Sequence, residues 1–391
     1  GHRLPIGTIE VIDNFPYQAL RDYYETWYRP DQQGIIVVGD IDVDKVEAKI
    51  KEMFSPIKMP ANAPERKYEP VADNKEPIIT IAKDKEQPST MIYIWHKHPA
   101  TPNEAKGNIG YLVQNYLFSM ISSMMHARLE ELRQGANPPF IQAASGDSDF
   151  LLSKTAEAFV GMAVSKDDGI PTAISALVRE IERARKFGFT ASEYARAKAD
   201  YLRSLESAYN ERDKMKNNQY VQEYVRHFID NEPIPGIEME YTLMNQLAPS
   251  IPVEAINSIL PQLIKDENIV INIFGPDKEG MVYPTEAEIL DILKNTKAEE
   301  ITAYVDKVSD EPLMKETPKA GKIVKTEAGP FGSTALTLSN GVRVVVKNTD
   351  FKADEIRMTA FSPGGTSIFG TKEALQVKML NTVAGLGGLG N

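Results

Sequence analysis

A chain of 391 residues, 42% hydrophobic and 25% charged, is too long for one ordinary core and reads as two or three packed soluble domains. It has no cysteine, which excludes disulfides and thiolate zinc sites, and its net charge of −11 argues against general nucleic-acid or anionic-membrane binding. No apolar run reaches the roughly 18 residues of a spanning helix, and the stretch GHRLPIGTIEVID has no signal-peptide core.

The chain opens with a Pro5-Ile6-Gly7 turn, and residues 17–28 then carry Leu20, Tyr23 (or Tyr24) and Trp27 at helical spacing, with these aromatics read as core. Arg29-Pro30 ends that helix, because the residue before proline is pushed out of the helical region. Ile35–Val38 is a bare apolar run that suits a strand buried on both faces. A second helix runs from Val43 to Phe54, capped by Asp42 or Asp44. Residues 55–75 are rich in proline and charge and form a linker or a long ordered connection.

Strands follow at Ile78–Ile81 and Ser89–His96, helices over 104–133, and a strand region over 140–164. Long helices cover 169–187 and 190–230, the second with a solvated charged face, and further helices lie at 238–248 and 252–263. Asn268–Gly275 is a buried strand that leads through Gly-Pro-Asp to the helix EAEILDILKNT. The order strand, glycine, aspartate, helix occurs earlier in IIVVGDID and its helix, which suggests one domain type used twice. Residues 297–330 form a second linker rich in Lys, Glu and Pro. Asn340-Gly341 between alternating apolar runs is a strong hairpin signal, and IRMTAF is expected as a third strand ending at Pro363-Gly364-Gly365. The glycines at 364–365 and 387–388 lack the Lys and Ser/Thr of a phosphate loop and read as turns.

In their order and spacing these segments resemble the insulinase/pitrilysin-type zinc peptidases. The series Tyr28-Arg29-Pro30, apolar strand, Gly39-Asp40 is similar to the close of a domain in that family. Leu338-Ser-Asn-Gly-Val342 with its hairpin is similar to the opening of the next, and LEELRQGANPPFIQAASG resembles the second-domain segment. The resemblance implies an α+β fold of tandem homologous domains, each with a mixed, mostly antiparallel sheet flanked by helices. It divides the chain into the end of a first domain (1–60), a linker (61–76), a complete second domain (77–296), a linker (297–330) and the beginning of a third (331–391). Both ends are thus expected to cut through domains.

The resemblance further implies a zinc site built from His-x-x-Glu-His, with two imidazoles on one helix face, the glutamate as base, and a carboxylate ligand downstream. None of the five histidines here, His2, His96, His98, His126 and His227, stands in that order. The chain is therefore expected to hold no catalytic residue and to bind no zinc of its own, the metal belonging to the parent protein. His96 and His98, two apart on one strand face, are the metal candidates, weighed against a solvated strand end because no Asp, Glu or Cys follows nearby. His126 and Glu130 share a helix face as a surface pair, and Arg133 complements the end of that helix, with peptide contact as the alternative.

The function implied is the non-catalytic middle portion of a zinc endopeptidase acting on peptides or small proteins in an enclosed chamber. The alternative is an inactive homologue serving as partner subunit or peptide-binding scaffold, and an unrelated scaffold is the third reading. Expected partners are a peptide substrate of the parent and a homologous subunit or a second copy, with no nucleic acid. Compartment and substrate-binding residues are not legible in this sequence, and the parent protein can be an exported one.

Overall fold

The computed structural model describes residues 7–307, 316–352 and 355–387. Pro5 and Ile6 of the opening turn, His2, and the last glycines from Gly388 onward lie outside them. The first elements are helices α1 (Ile9–Asn14), α2 (Tyr17–Trp27) and α3 (Val43–Phe54). Asp42 caps α3, its carboxylate accepting from Lys45 N at 3.1 Å, and α2 stops before Arg29-Pro30 as the pre-proline rule requires.

Two expectations fail in this region. Ile35–Val38 is not a strand, because no described strand lies beside it to supply ladder partners, and Ile35 and Val37 are exposed. The apolar stripe of α2 has formed its helix without burying it: Leu20, Tyr23 and Tyr24 are each more than half exposed.

The body of the fold runs β1 (Ile78–Asp84), β2 (Thr90–Pro99), α4 (Asn103–Lys106), α5 (Ile109–Gln134), β3 (Gln142–Asp149) and β4 (Ala156–Ser165). It continues α6 (Ile170–Phe187), α7 (Ala191–Asn210), α8 (Asn217–Asp230), α9 (Ile237–Leu247), α10 (Val253–Asn257), α11 (Leu260–Leu263), β5 (Ile269–Pro276) and α12 (Glu286–Ala298). The five strands form one sheet in the order β1-β5-β2-β4-β3. Only β1 and β5 pair in parallel, so the sheet is mixed and mostly antiparallel, flanked by helices.

Two helices expected as continuous are broken. Thr190 and Glu193 start α7 with a reciprocal capping box, but the polar run after Asn210 tightens into a 3-10 turn at Arg212–Lys214 before α8 begins. Pro261, with no N–H to donate back to Asn257, separates α10 from α11.

The strand period sorts β2 between two apolar layers. Ile92 and Ile94 join Ile271 and Ile273 of β5 against Ile174 and Leu177 of α6. A second helix-lined core joins Tyr116, Met120 and Met124 of α5 to Tyr194 and Leu205 of α7 and to Leu260. On the other face Trp95 stacks on Tyr93 with centroids 5.7 Å apart, meets Phe150 edge-on at 5.6 Å, and receives Val71 from the segment before β1.

That segment is an ordered connection. Val71 N donates to Thr155 Oγ1, Lys97 Nζ to Ala72 O at 2.6 Å, and Asn268 N to Asn74 O at 2.8 Å. After α12 the chain is again pinned: Arg179 pairs with Glu299 at 2.7 Å, Arg183 Nε donates to Thr302 O, and Arg196 meets Asp306 at 2.8 Å.

Within the stretch read as the second linker lies a strand, β6 (Ile323–Ala328), whose Lys, Thr and Glu masked it. It pairs with β7 (Thr334–Leu338), which pairs with β8 (Arg343–Val346) through the expected turn, where Gly341 takes φ +85°. IRMTAF is not a strand, and Ile356 and Phe361 are almost fully exposed. The described chain closes with α13 (Ala374–Gly387). No described helix is long and apolar enough to cross a membrane.

Candidate functional site

The two histidine candidates have separate fates. His96 is 3% exposed, and its Nδ1–H donates to the carbonyl of Lys265 at 3.1 Å, since a carbonyl oxygen can only accept. Burial pushes its pKa down to about 4, with Lys297 and Arg185 adding to the effect, so the ring is held neutral. It is a satisfied core histidine.

His98, at the end of β2, meets two carboxylates. The ladder places it directly opposite Glu157 of β4, and Asp147 stands on β3, the next strand over. His98 Nε2 lies 2.8 Å from Asp147 Oδ2, while Nδ1 is 3.1 Å from Pro99 O. Glu157 Oε1 accepts from Thr101 N at 3.2 Å. The side chains of His98 and Asp147 are only 10% and 7% exposed, so this pair is largely dry. One donor atom from each of His98, Asp147 and Glu157 lies within 4.8 Å of the others.

The electrostatics follow from that arrangement. Burial alone would lower the His98 pKa, but the hydrogen bond and charge of Asp147 outweigh it and raise it. Burial raises Glu157, and the nearby Asp147 charge adds to this. Both carboxylates line a cavity of about 420 Å³ whose wall includes Asp149, Asp230, Glu232 and, as the one ammonium, Lys106. Lys106 donates to Asp230 O at 2.9 Å, and Lys154 bridges Asp149 and Asp230 at 3.0 and 2.7 Å. Burial and Glu232 push Tyr111, at the same cavity, up to about 12.

A second polar centre has a different character. Arg128 of α5 donates to Glu193 through Nε and Nη2 and to Gly188 O, between the rings of Phe189 and Tyr304 at 4.7 and 4.4 Å. Arg128 is 2% exposed, so these bonds tie α5 to α7 and to the α6–α7 turn inside the core. Arg133, the arginine singled out from sequence, instead pairs on the surface with Glu130, Nε to Oε2 at 2.7 Å. Gln134 donates to the same carboxylate, and the charge of the exposed His126 acts on it as well, as expected for two residues sharing a helix face.

Asp147 and Glu157 are the residues that sequence reasoning missed. They lie far downstream of His98, and only the strand register brings them to it. The available signal was the pair of acidic strand ends in GDSD and AEAF flanking a turn. The zinc set of the insulinase-type peptidases is a different matter: no His-x-x-Glu-His occurs in this chain, so its residues do not fit that group.

Residues 14–201 match the model of the peptidase M16 inactive domain. The chain is 27% identical over 390 residues to a zinc protease PQQL-like protein of Arabidopsis thaliana, covering 98% of this chain and 37% of that one. To the probable zinc protease PqqL of Escherichia coli strain K12 it is 24% identical over 393 residues, 99% of this chain and 41% of the relative. The crystal structure of the periplasmic protease PqqL from Escherichia coli superposes with a TM-score of 0.65 at 24% identity, over 88% of this chain and 38% of that one, a likeness of fold. The chain thus spans about two fifths of the length of the curated relatives it matches.

Proposed function

We propose that this chain, whose residues 14–201 match the peptidase M16 inactive domain and which is similar along its length to PqqL-type zinc proteases, is the non-catalytic middle portion of a zinc-dependent endopeptidase. Its part there is to wall the chamber in which peptides or small proteins are cleaved and to pack the flanking domains. The segments 1–60 and 331–391 would belong to the neighbouring domains, and 77–296 would be the complete second domain between connections at 61–76 and 297–330. Zinc and the hydrolytic step would reside in the parent protein, outside the residues of this chain. Since the Escherichia coli relative is described as periplasmic, export of the parent is part of the same proposal.

The observation that carries this reading is a packed five-stranded domain with both approaches fastened to it, in a chain without the family's zinc motif. Lys97 and Asn268 hold the entering segment at Ala72 and Asn74, and Arg179 and Arg196 hold the departing one at Glu299 and Asp306. Such a domain can position its neighbours without contributing a nucleophile or base.

The test compares the whole protein with this chain alone on a quenched fluorescent peptide and on casein. The whole protein should hydrolyse them, lose activity to a chelator and regain it with zinc, while the chain alone stays inactive. A whole protein that hydrolyses neither, with or without added zinc, would sink the endopeptidase reading and favour an inactive partner subunit.

A further inference from the structure

We propose that His98, Asp147 and Glu157 form a binding site for a divalent transition-metal ion of the zinc class, separate from the zinc of the parent's peptidase motif. The donors are one imidazole nitrogen and two carboxylate oxygens, all within 4.8 Å of one another. Zinc is bound by imidazole nitrogen and carboxylate oxygen alike, and three protein ligands leave one position for water. Calcium and magnesium surround themselves with oxygen and gain nothing from the imidazole, which sets the class of ion.

Geometry supports the assignment. An ion about 2.0–2.2 Å from each donor needs donors roughly 3.3–3.6 Å apart. The His98–Asp147 contact of 2.8 Å would open by a fraction of an ångström, and the widest separation of at most 4.8 Å would close by roughly one. A side-chain adjustment of this size, with Glu157 pinned through one oxygen by Thr101 N, would supply that movement without a change in the ladder.

Two independent features point the donors inward. The Nδ1–H of His98 is committed to the Pro99 carbonyl, which fixes the ring and leaves Nε2 facing the carboxylates. This is the outer-shell pattern that orients metal-binding imidazoles. Thr101 N holds one oxygen of Glu157 in the same way. The three ligands also stand on three paired strands, so the backbone is set before any ion arrives.

The surroundings favour a cation as well. The cavity beside the cluster gives a path from solvent, and its wall carries five carboxylates. Lys154 pairs with Asp149 and Asp230, leaving Asp147, Glu157 and Glu232 with Lys106 as the ammonium on the wall itself. Burial of the His98–Asp147 pair keeps water from competing for the donors. A metal here would replace the proton shared by that pair and would staple the exposed edge strand β3 to β2 across β4.

The chain, stripped with a chelator and desalted, is titrated with ZnCl₂ by calorimetry and with CoCl₂ by visible absorption, for wild type and the variants His98→Ala, Asp147→Asn, Glu157→Gln and His126→Ala. Wild type and His126→Ala should bind one ion per chain. Each ligand substitution should weaken binding by at least roughly 10- to 100-fold, the loss seen even for outer-shell partners. Glu157→Gln keeps the side-chain shape and decides the question if His98→Ala fails to fold. No binding by the wild type, binding undiminished in the three ligand variants, or loss in His126→Ala would overturn the site.

Discussion

Arg128 grips Glu193 through two nearly parallel hydrogen bonds, Nε to Oε1 at 2.6 Å and Nη2 to Oε2 at 2.9 Å, with both side chains at least 96% buried. The same carboxylate accepts from Thr190 N at 2.8 Å, so one group both starts α7 and fastens it to α5. Glu193→Gln would leave the guanidinium buried beside an amide and should lower the unfolding free energy by about 3–5 kcal/mol. The pair Arg128→Met with Glu193→Leu should recover part of that loss, because no guanidinium is left stranded and Glu180, 3.8 Å from Arg128 Nη1, keeps Arg183, while Thr190 N loses its acceptor. Urea unfolding of the single and double variants measures both numbers.

The buried His96 makes stability depend on pH. Its pKa is about 4 in the folded chain against an ordinary 6.5, so the unfolded chain takes up a proton that the folded one refuses. Stability from this residue is fully present above pH 6.5 and falls as pH drops toward 4, by about 3 kcal/mol in total. His96→Asn, which keeps a donor for Lys265 O, should flatten that part of the profile. Urea midpoints between pH 4 and 7, taken with chelator present, compare the slopes.

Gly188 joins α6 to α7 at φ +69°, and a β-carbon there would run into the carboxamide of Asn257. That carboxamide cannot move away freely, since it accepts from Phe189 N at 2.8 Å and donates to Phe189 O at 3.0 Å. Gly188→Ala should therefore cost well over 1 kcal/mol, beyond the usual glycine effect. Thermal unfolding should show a clear fall in midpoint, and an unchanged one would contradict the packing described.

Asn268 stands at φ +62°, and its carboxamide accepts from Asn74 N and donates to Asp73, both at 2.8 Å. Asn268→Ala removes those bonds and strains the backbone, a loss of about 1–2 kcal/mol that raises local opening roughly 5- to 30-fold. Trypsin cleavage after Lys67 or Lys75 should accelerate accordingly, with the rest of the chain still folded. Equal cleavage rates in the two proteins would show that the entering segment is held by other contacts.

What could be read without coordinates was local chemistry. Asn340-Gly341, the Asp42 cap, the stop at Arg29-Pro30 and the strand expected at Ser89–His96 each depend on a few neighbouring residues, and each stands. What could not be read required a partner distant in the chain. Ile35–Val38 has the composition of a buried strand but no described neighbour, while Ile323–Ala328 has linker composition and becomes a strand because β7 lies beside it. The residues that follow His98 in the chain carry no ligand, whereas its carboxylates come from β3 and β4, and no periodicity encodes a register.

The place of β5 in the sheet has a consequence for how this chain is made. β1 and β2 are consecutive in the chain yet stand one strand apart, and the strand that fills the gap begins only at residue 269. During synthesis, β1 and β2 therefore present two facing unpaired edges around a vacant slot while the intervening helices emerge. The central pairings must wait for nearly the whole domain to leave the ribosome, as non-local contacts do in slow-folding proteins. Ile269–Pro276 closes both edges at once in the finished sheet, and any foreign strand that reached them earlier would compete with it.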